Sequence, residues 1–192
     1  MEKIILKSGQ YGEIECRVLE DIFKTRKKVF CDRLNWDVST VRGMEFDEYD
    51  TFGTHYLYVL CSGFVVGGVR LISTLSHYMV KGTFNKFSAP LPASHKVVEA
   101  SRFHLDTHHI KRLGGDSSYS TKFLLLGMVE YALKDGRDEI LTVVSPGMMK
   151  VLRNSGCEFF LVESFSDSCF MEINLIKIPV SDAGLQEIMS RI

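Results

Sequence analysis

Leu19, Ile22, Phe23, Val29 and Phe30 recur at helical spacing, which predicts one amphipathic helix from about Val18 to Leu34. The period then stops. Gly43, Gly53 and scattered acids mark residues 35–54 as a loop, and a loop that long is usually functional or carries short structure of its own. Two apolar runs follow, HYLYVLC (55–61) and FVVGGVRLIS (64–73), with a Ser-Gly pair between them that signals a hairpin. Both runs are apolar on both faces, so they read as central strands. Residues 76–95 are irregular, with a short helix expected around Thr83–Phe87. KVVEASRFHL (96–105) predicts a further strand. Ideal alternation puts Val97, Glu99, Ser101 and Phe103 on one face, and Val98, Ala100, Arg102 and His104 on the other.

Downstream, a loop at 108–118 leads to a helix over Tyr119–Lys134, with Asp116, Ser117 and Ser118 as cap candidates and Gly136 at its end. A strand at 139–145, a helix at 146–156 opened by Pro146, strands at 157–164 and 168–178, and a terminal helix at 182–191 complete the pattern, with a short strand at 3–6 before it. Helix and strand hairpin followed by strand–helix alternation imply an α/β sandwich with a mixed sheet, a layout typical of N-acyltransferase-like folds.

Composition narrows this only a little. At 192 residues and 45% hydrophobic the chain suits a single domain with a real core. A net charge of −1 points to neither nucleic acid nor a membrane surface as partner. The five cysteines are odd in number and form no C-x-x-C pair, which suggests a reduced, cytoplasmic protein. The N-terminal apolar run is too short for a signal peptide, and FLLLGMV (123–129) is far below the ~20 residues of a membrane span.

The charges that fall in apolar segments carry more information. Arg26 lies four residues from both Ile22 and Phe30, on the apolar face of its helix. A buried Arg needs an anion, and Glu45, Asp47, Glu48 and Asp50 are the nearest supply. A structural ion pair and a pocket wall are both open readings of that arrangement. Arg70 sits mid-strand after Gly67 and Gly68, where a bulge or the close approach of a ligand is expected. Glu99 and Arg102 are equally out of place in their strand. Together with Phe30 and Trp36, these groups suit a small zwitterion bearing a flat ring: Arg for a carboxylate, Asp for an ammonium, aromatics for the ring.

Other motifs are weaker. His104, His108 and His109 cluster without carboxylate or Cys ligands at a metal spacing, so no metal is expected. RLGGDS (112–117) partly resembles the pyrophosphate loop of CoA-dependent acetyltransferases. Arg112 and Gly115 fit, but Ser117 stands where the last Gly or Ala belongs, and an ordinary turn before a capped helix explains it as well. Lys150 and Arg153 share the 146–156 helix, as a solvated face or as a contact for an acidic protein.

The segments RKKVFCDRLNW (26–36), EFDEYD (45–50), G-x-x-R-L (67–71) and VEASRF (98–103) resemble the N-acyl-homoserine lactone synthases of the LuxI type, in order and in spacing. The resemblance implies a single acetyltransferase-like (GNAT-like) α/β/α domain with a mixed twisted sheet across 1–192. It implies S-adenosylmethionine and acyl-acyl carrier protein as substrates and partners, with no cofactor. The S-adenosylmethionine pocket would fall on Arg26, Phe30, Trp36, Asp47, Asp50, Arg70, Arg102 and Phe103. Glu99 would act as base with Ser101 positioning the substrate, and Thr142 would lie along the acyl chain, where a Thr goes with 3-oxo-acyl preference. Lys150 and Arg153 would meet the carrier protein, with the phosphopantetheine arm near 108–118. An acyl-CoA-dependent N-acyltransferase on another amine and a non-catalytic ligand-binding module are the alternatives.

Overall fold

The protein is described by a computed structural model at residues 4–84, 87–166 and 172–192. The chain runs β1 (Ile4–Gln10), α1 (Cys16–Lys27), a π-helical turn (Lys28–Arg33), β2 (Thr40–Val41), β3 (Met44–Glu45), β4 (His55–Cys61) and β5 (Phe64–Ser73). Then come α2 (Met79–Thr83), β6 (Val97–Leu105), α3 (Thr107–Arg112), α4 (Ser117–Lys134) and β7 (Glu139–Val144). It ends with α5 (Pro146–Asn154), β8 (Phe160–Ser166), β9 (Glu172–Pro179) and α6 (Asp182–Ser190). Parts of three expected elements, Lys3, 85–86 and 168–171, lie outside the described residues. The chain forms two compact units, Met1–Leu71 with Arg102–Leu124, and Ile72–Ser101 with Leu125–Ile192.

In the first unit β1, β4 and β5 pair antiparallel in that order, with β6 next. The expected Ser-Gly turn is there, with Ser62 at φ 49° and Gly63 at φ 83°, the left-handed pair that a two-residue hairpin requires. Gly67 marks a close approach, but of another strand: an added Cβ would collide with the backbone oxygen of His104 on β6. α1 lays Leu19, Ile22 and Phe23 against Ile14, Tyr56 and Val65, which together form a buried cluster.

The first helix is not regular to Leu34 as its period predicts. After Lys27 it widens, and the Leu34 N–H reaches the Val29 carbonyl five residues back at 3.0 Å. Val29 and Phe30 are both buried in this turn, and Asn35 at φ 52° ends the helix. The expected 35–54 loop holds the β2–β3 ribbon, turned by Arg42 and Gly43 at φ 53° and 78°. The expected 108–118 loop is half helix, because the Asp106 carboxylate accepts the His109 N–H at 2.9 Å and caps α3.

In the second unit Val97–Ala100 of β6 pairs parallel with Glu139–Thr142 of β7. β7 pairs antiparallel with β9, and β9 with β8 at the edge. The seven-stranded sheet is therefore mixed, as expected for an acetyltransferase-like α/β fold. Ile140, Leu141, Leu152, Leu175 and Ile176 are buried in this unit. The helix expected at Thr83–Phe87 ends at Thr83 instead. Burial of Tyr78, Met79 and Val80 draws it four residues earlier than the sequence suggests. Among the described residues no helix is long and apolar enough to cross a membrane.

Candidate functional site

One stretch of the first unit, β3 and the loop after it, delivers three carboxylates to one place, and three other elements bring arginines to meet them. The β2–β3 turn sets Glu45, which is fully buried. Beyond it the chain folds on itself: the Tyr49 N–H donates to Asp47 Oδ1 at 2.9 Å, and the Asp47 N–H donates to Asp50 Oδ2 at 2.8 Å. That fixes Asp47 and Asp50 side by side. Arg26 reaches them from α1, Arg70 from β5 and Arg102 from β6.

The contacts form a closed ionic cluster. Arg26 donates through Nε to Glu45 at 2.5 Å and through Nη1 to Asp50 at 2.8 Å. Arg70 grips both oxygens of Asp47 and lies 2.9 Å from Asp50. Arg102 donates through Nε to Glu45 at 3.0 Å and through Nη2 to Asp47 at 2.9 Å. The Tyr56 hydroxyl adds a 2.6 Å bond to Asp50. Three guanidiniums face three carboxylates, and each carboxylate meets two of the cations. That balance is what lets charge sit in a core at all, because an unpaired ion there costs about 3–5 kcal/mol.

Burial and charge pull the titrations in opposite directions. Burial alone would raise the Asp50 pKa, but Arg26 and Arg70 outweigh it and hold the carboxyl well below the usual range. Burial likewise opposes the Arg26 charge, yet Asp50 and Glu45 raise its pKa. Burial and then the Asp50 charge push the Tyr56 hydroxyl upward, so it stays a donor.

The cluster has a deep end and an open end. The side chains of Arg26, Glu45, Asp50 and Arg70 are at most 1% exposed, while Asp47 keeps 17% and Arg102 13%. Aromatic rings line the same region. Phe30 stacks on Trp36 at 5.0 Å, and the Arg102 guanidinium lies over Phe30 at 5.6 Å. Trp36 remains 37% exposed. The open end therefore presents a carboxylate at Asp47, a guanidinium at Arg102 and a flat ring at Trp36. Arg26 is the internal brace of the cluster.

The structure thus brings Arg26, Phe30, Trp36, Asp47, Asp50, Arg70 and Arg102 together, and Phe103 follows on β6, half-buried. Arg102 corrects the expected strand alternation. Its φ is 56°, a left-handed value inside a strand, so parity no longer assigns faces from that residue onward. Glu45 and Tyr56 belong to the cluster, although the sequence marks Glu45 only as one acid among several and leaves Tyr56 looking like ordinary core.

The second unit holds the other candidates. Glu99 is fully buried, and its Oε2 accepts the Val80 N–H at 2.6 Å. Ser101 is also buried. Thr142 is buried on β7, opposite Ala100. Lys150 and Arg153 are exposed on α5, with the Arg153 guanidinium 5.0 Å from the Phe159 ring centre. Among the described residues no group of three His, Cys, Asp or Glu side chains is placed to hold a metal ion.

The sequence profile of the family described as "Autoinducer synthase" matches residues 10–188. An acyl-homoserine-lactone synthase of Pseudomonas amygdali pv. tabaci is 35% identical over 185 residues, covering 96% of this chain and 82% of that protein. One from Dickeya chrysanthemi is 34% identical, covering 91% and 82%. Among solved structures, the AHL synthase LasI superposes with a TM-score of 0.86 at 23% identity, covering 99% of this chain and 96% of that one. BjaI, a CoA-dependent acyl-homoserine lactone synthase solved with SAM and isopentyl-CoA, gives 0.87 at 20% identity, covering 98% and 89%. These two likenesses establish the shared fold.

Proposed function

The chain belongs to the autoinducer synthase family, and on that premise we propose that it makes an N-acyl-L-homoserine lactone from S-adenosylmethionine and an acyl group carried on acyl carrier protein. Its activity is that of an acyl-homoserine-lactone synthase, an acyltransferase. The observation that carries the substrate assignment is the balanced ionic cluster, which reaches solvent at Asp47 and Arg102 beside Trp36. S-adenosylmethionine offers a carboxylate for Arg102, cationic groups for Asp47 and an adenine ring for Trp36. The deep members hold Asp47 and Arg102 in place, through Arg70 and Glu45, and Phe30 stacks on Trp36.

Amide formation requires a neutral amine. Glu99 is the assigned base: it takes a proton from the methionyl ammonium, directly or through water, and the amine attacks the thioester carbonyl. The bond from Val80 fixes the Glu99 carboxylate, and Ser101 helps orient the nucleophile. The carbonyl–sulfur bond then breaks and the carrier leaves as its thiol. In the second step the substrate's own carboxylate attacks Cγ, the carbon–sulfur bond of the sulfonium breaks, and methylthioadenosine departs with the electron pair. Here the protein's part is to hold a folded conformer. Thr142 lines the acyl chain in this reading.

The donor assignment is supported by the start of α4. Asp116 occupies the Ser118 and Tyr119 amides at 2.7 and 3.2 Å, and the Gly114 and Gly115 amides bond back to Lys111 and Ile110. A carboxylate already seated at a helix N-terminus disfavours a pyrophosphate there. The exposed Lys150 and Arg153 suit the acidic surface of a carrier protein. Presenting matched acyl-carrier and acyl-CoA donors with S-adenosylmethionine tests this by mass spectrometry. Faster lactone formation from the carrier donor is expected. A higher kcat/KM with acyl-CoA would overturn the donor, and acylation of a different amine without methylthioadenosine would overturn the reaction.

A further inference from the structure

His104 stands two residues beyond Arg102 on β6 and is 3% exposed. Its Nδ1 lies 2.7 Å from the Arg102 carbonyl oxygen. A carbonyl only accepts, so Nδ1 carries the proton. Burial keeps the ring neutral, with its pKa pushed down to about 3, and the charges of Arg26, Arg102 and Arg33 work in the same direction. A neutral imidazole has a single N–H, and here it is committed to Arg102. Nε2 is left as a buried acceptor with no hydrogen bond from the described residues. The bond lands on an unusual piece of backbone, since Arg102 is the residue whose φ of 56° breaks the strand. Side chains other than Gly rarely hold that conformation without support from their surroundings. The consequence of the break is the aim of the Arg102 guanidinium, which reaches Glu45 and Asp47 at 3.0 and 2.9 Å.

We propose that His104 is a positioning residue of the synthase site: its Nδ1–H anchors the left-handed backbone of Arg102 and so sets the guanidinium that receives the substrate carboxylate. The inference rests on the reading that Arg102 meets S-adenosylmethionine. The ring lies over Gly68, where an added Cβ would sit 3.4 Å from His104 Cε1 in ordinary contact. The Phe30 ring centre lies 5.9 Å from that of His104, so the imidazole and the Arg102 guanidinium both pack on Phe30.

Two substitutions separate the anchor from mere filling of space. In His104→Asn the amide nitrogen takes the place of Nδ1 and can still donate to Arg102. In His104→Leu the volume is kept and the donor is lost. His104→Leu is expected to raise KM for S-adenosylmethionine about tenfold with a smaller change in kcat, and His104→Asn to return it to within about threefold of wild type. Equal impairment of the two variants, or wild-type KM in His104→Leu, would overturn the anchor. A measurement on the unaltered protein backs this up: long-range nitrogen–proton correlation of His104 should report the Nδ1–H tautomer, and an Nε2–H tautomer would overturn the proposal. The spectrum also separates the two possible failures. An Nδ1–H tautomer in a protein that makes no lactone retires the assigned reaction and keeps the anchor. An Nε2–H tautomer in an active enzyme does the reverse.

Discussion

Glu45→Gln removes one charge and almost no volume, and it should be among the most damaging single changes in the first unit. Glu45 is fully buried and gives one oxygen to Arg26 and the other to Arg102. Gln has a single carbonyl oxygen, so its amide nitrogen must face one of the two guanidiniums as donor against donor. The cluster also changes from three charges of each sign to an uncompensated positive charge. Breaking a buried ion pair from one side costs about 3–5 kcal/mol, against a total stability of roughly 5–15 kcal/mol for a domain. With a urea dependence of about 2–3 kcal/mol/M, the unfolding midpoint should fall by roughly 1–2 M. Trp36 is the single tryptophan and stacks on Phe30 beside the cluster, so its fluorescence reports the transition. Exposed Asp37→Asn serves as the control and should move stability by less than about 0.5 kcal/mol. The loss should shrink in an Arg26→Met background, where the stranded cation is gone. If Glu45→Gln shifts the midpoint no more than Asp37→Asn does, the balanced cluster is not what holds this unit together.

Glu99 needs two substitutions, because it both holds Val80 and serves as the assigned base. Glu99→Gln can still accept the Val80 N–H, so turnover should drop at least about a hundredfold with little loss of thermal stability. Glu99→Ala should lose turnover and about 1–3 kcal/mol of stability as well; retained turnover in the Gln variant would remove the base assignment. Reversing charge at Lys150 and Arg153 should raise KM for the acylated carrier several-fold while sparing S-adenosylmethionine binding, and an unchanged KM would dissociate α5 from the carrier. Stability should fall in acid for two reasons. His104 has its pKa lowered from 6.5 to about 3, so below 6.5 the unfolded chain binds a proton that the fold refuses. That erodes up to about 1.4 kcal/mol per pH unit over this window. Asp50 is also depressed, and its contribution, present above the ordinary carboxylate range, is lost as pH falls below it. Urea midpoints at pH 7, 6 and 5 should show a shallower decline in His104→Asn; equal slopes would show that His104 does not titrate as described.

The buried face of α1 was legible because Leu19, Ile22 and Phe23 repeat at the helical period. The need of Arg26 for anions followed from its place on that face. Which acids would answer was not legible. Glu45 arrives on a ribbon turned by Arg42 and Gly43, and an Arg in a left-handed turn position leaves no compositional signal. The π-helical turn was hidden for a similar reason, since Val29 and Phe30 fit a regular helix equally well on paper. Gly67 could be read as a close approach, but the body approaching is the backbone of β6 and not a ligand. Arg102 is the largest gap. Period-two reasoning places it opposite Glu99, and one left-handed residue cancels that reasoning without any Gly or Asn to announce it. His104 looked like one of three clustered histidines until its depth and its bond to Arg102 set it apart. A mixed sheet is legible from the helix, the strand hairpin and the strand–helix alternation after them, but its seven-strand order is not.

The fate of the atoms of S-adenosylmethionine tests the assigned reaction most directly. Carbon-13 confined to its methionyl chain should appear in the ring of the acylated lactone, with unlabelled methylthioadenosine and one freed carrier thiol for each lactone formed. Thiol release without methylthioadenosine, or an acylated product whose ring carries no label, would contradict the reaction assigned to this site.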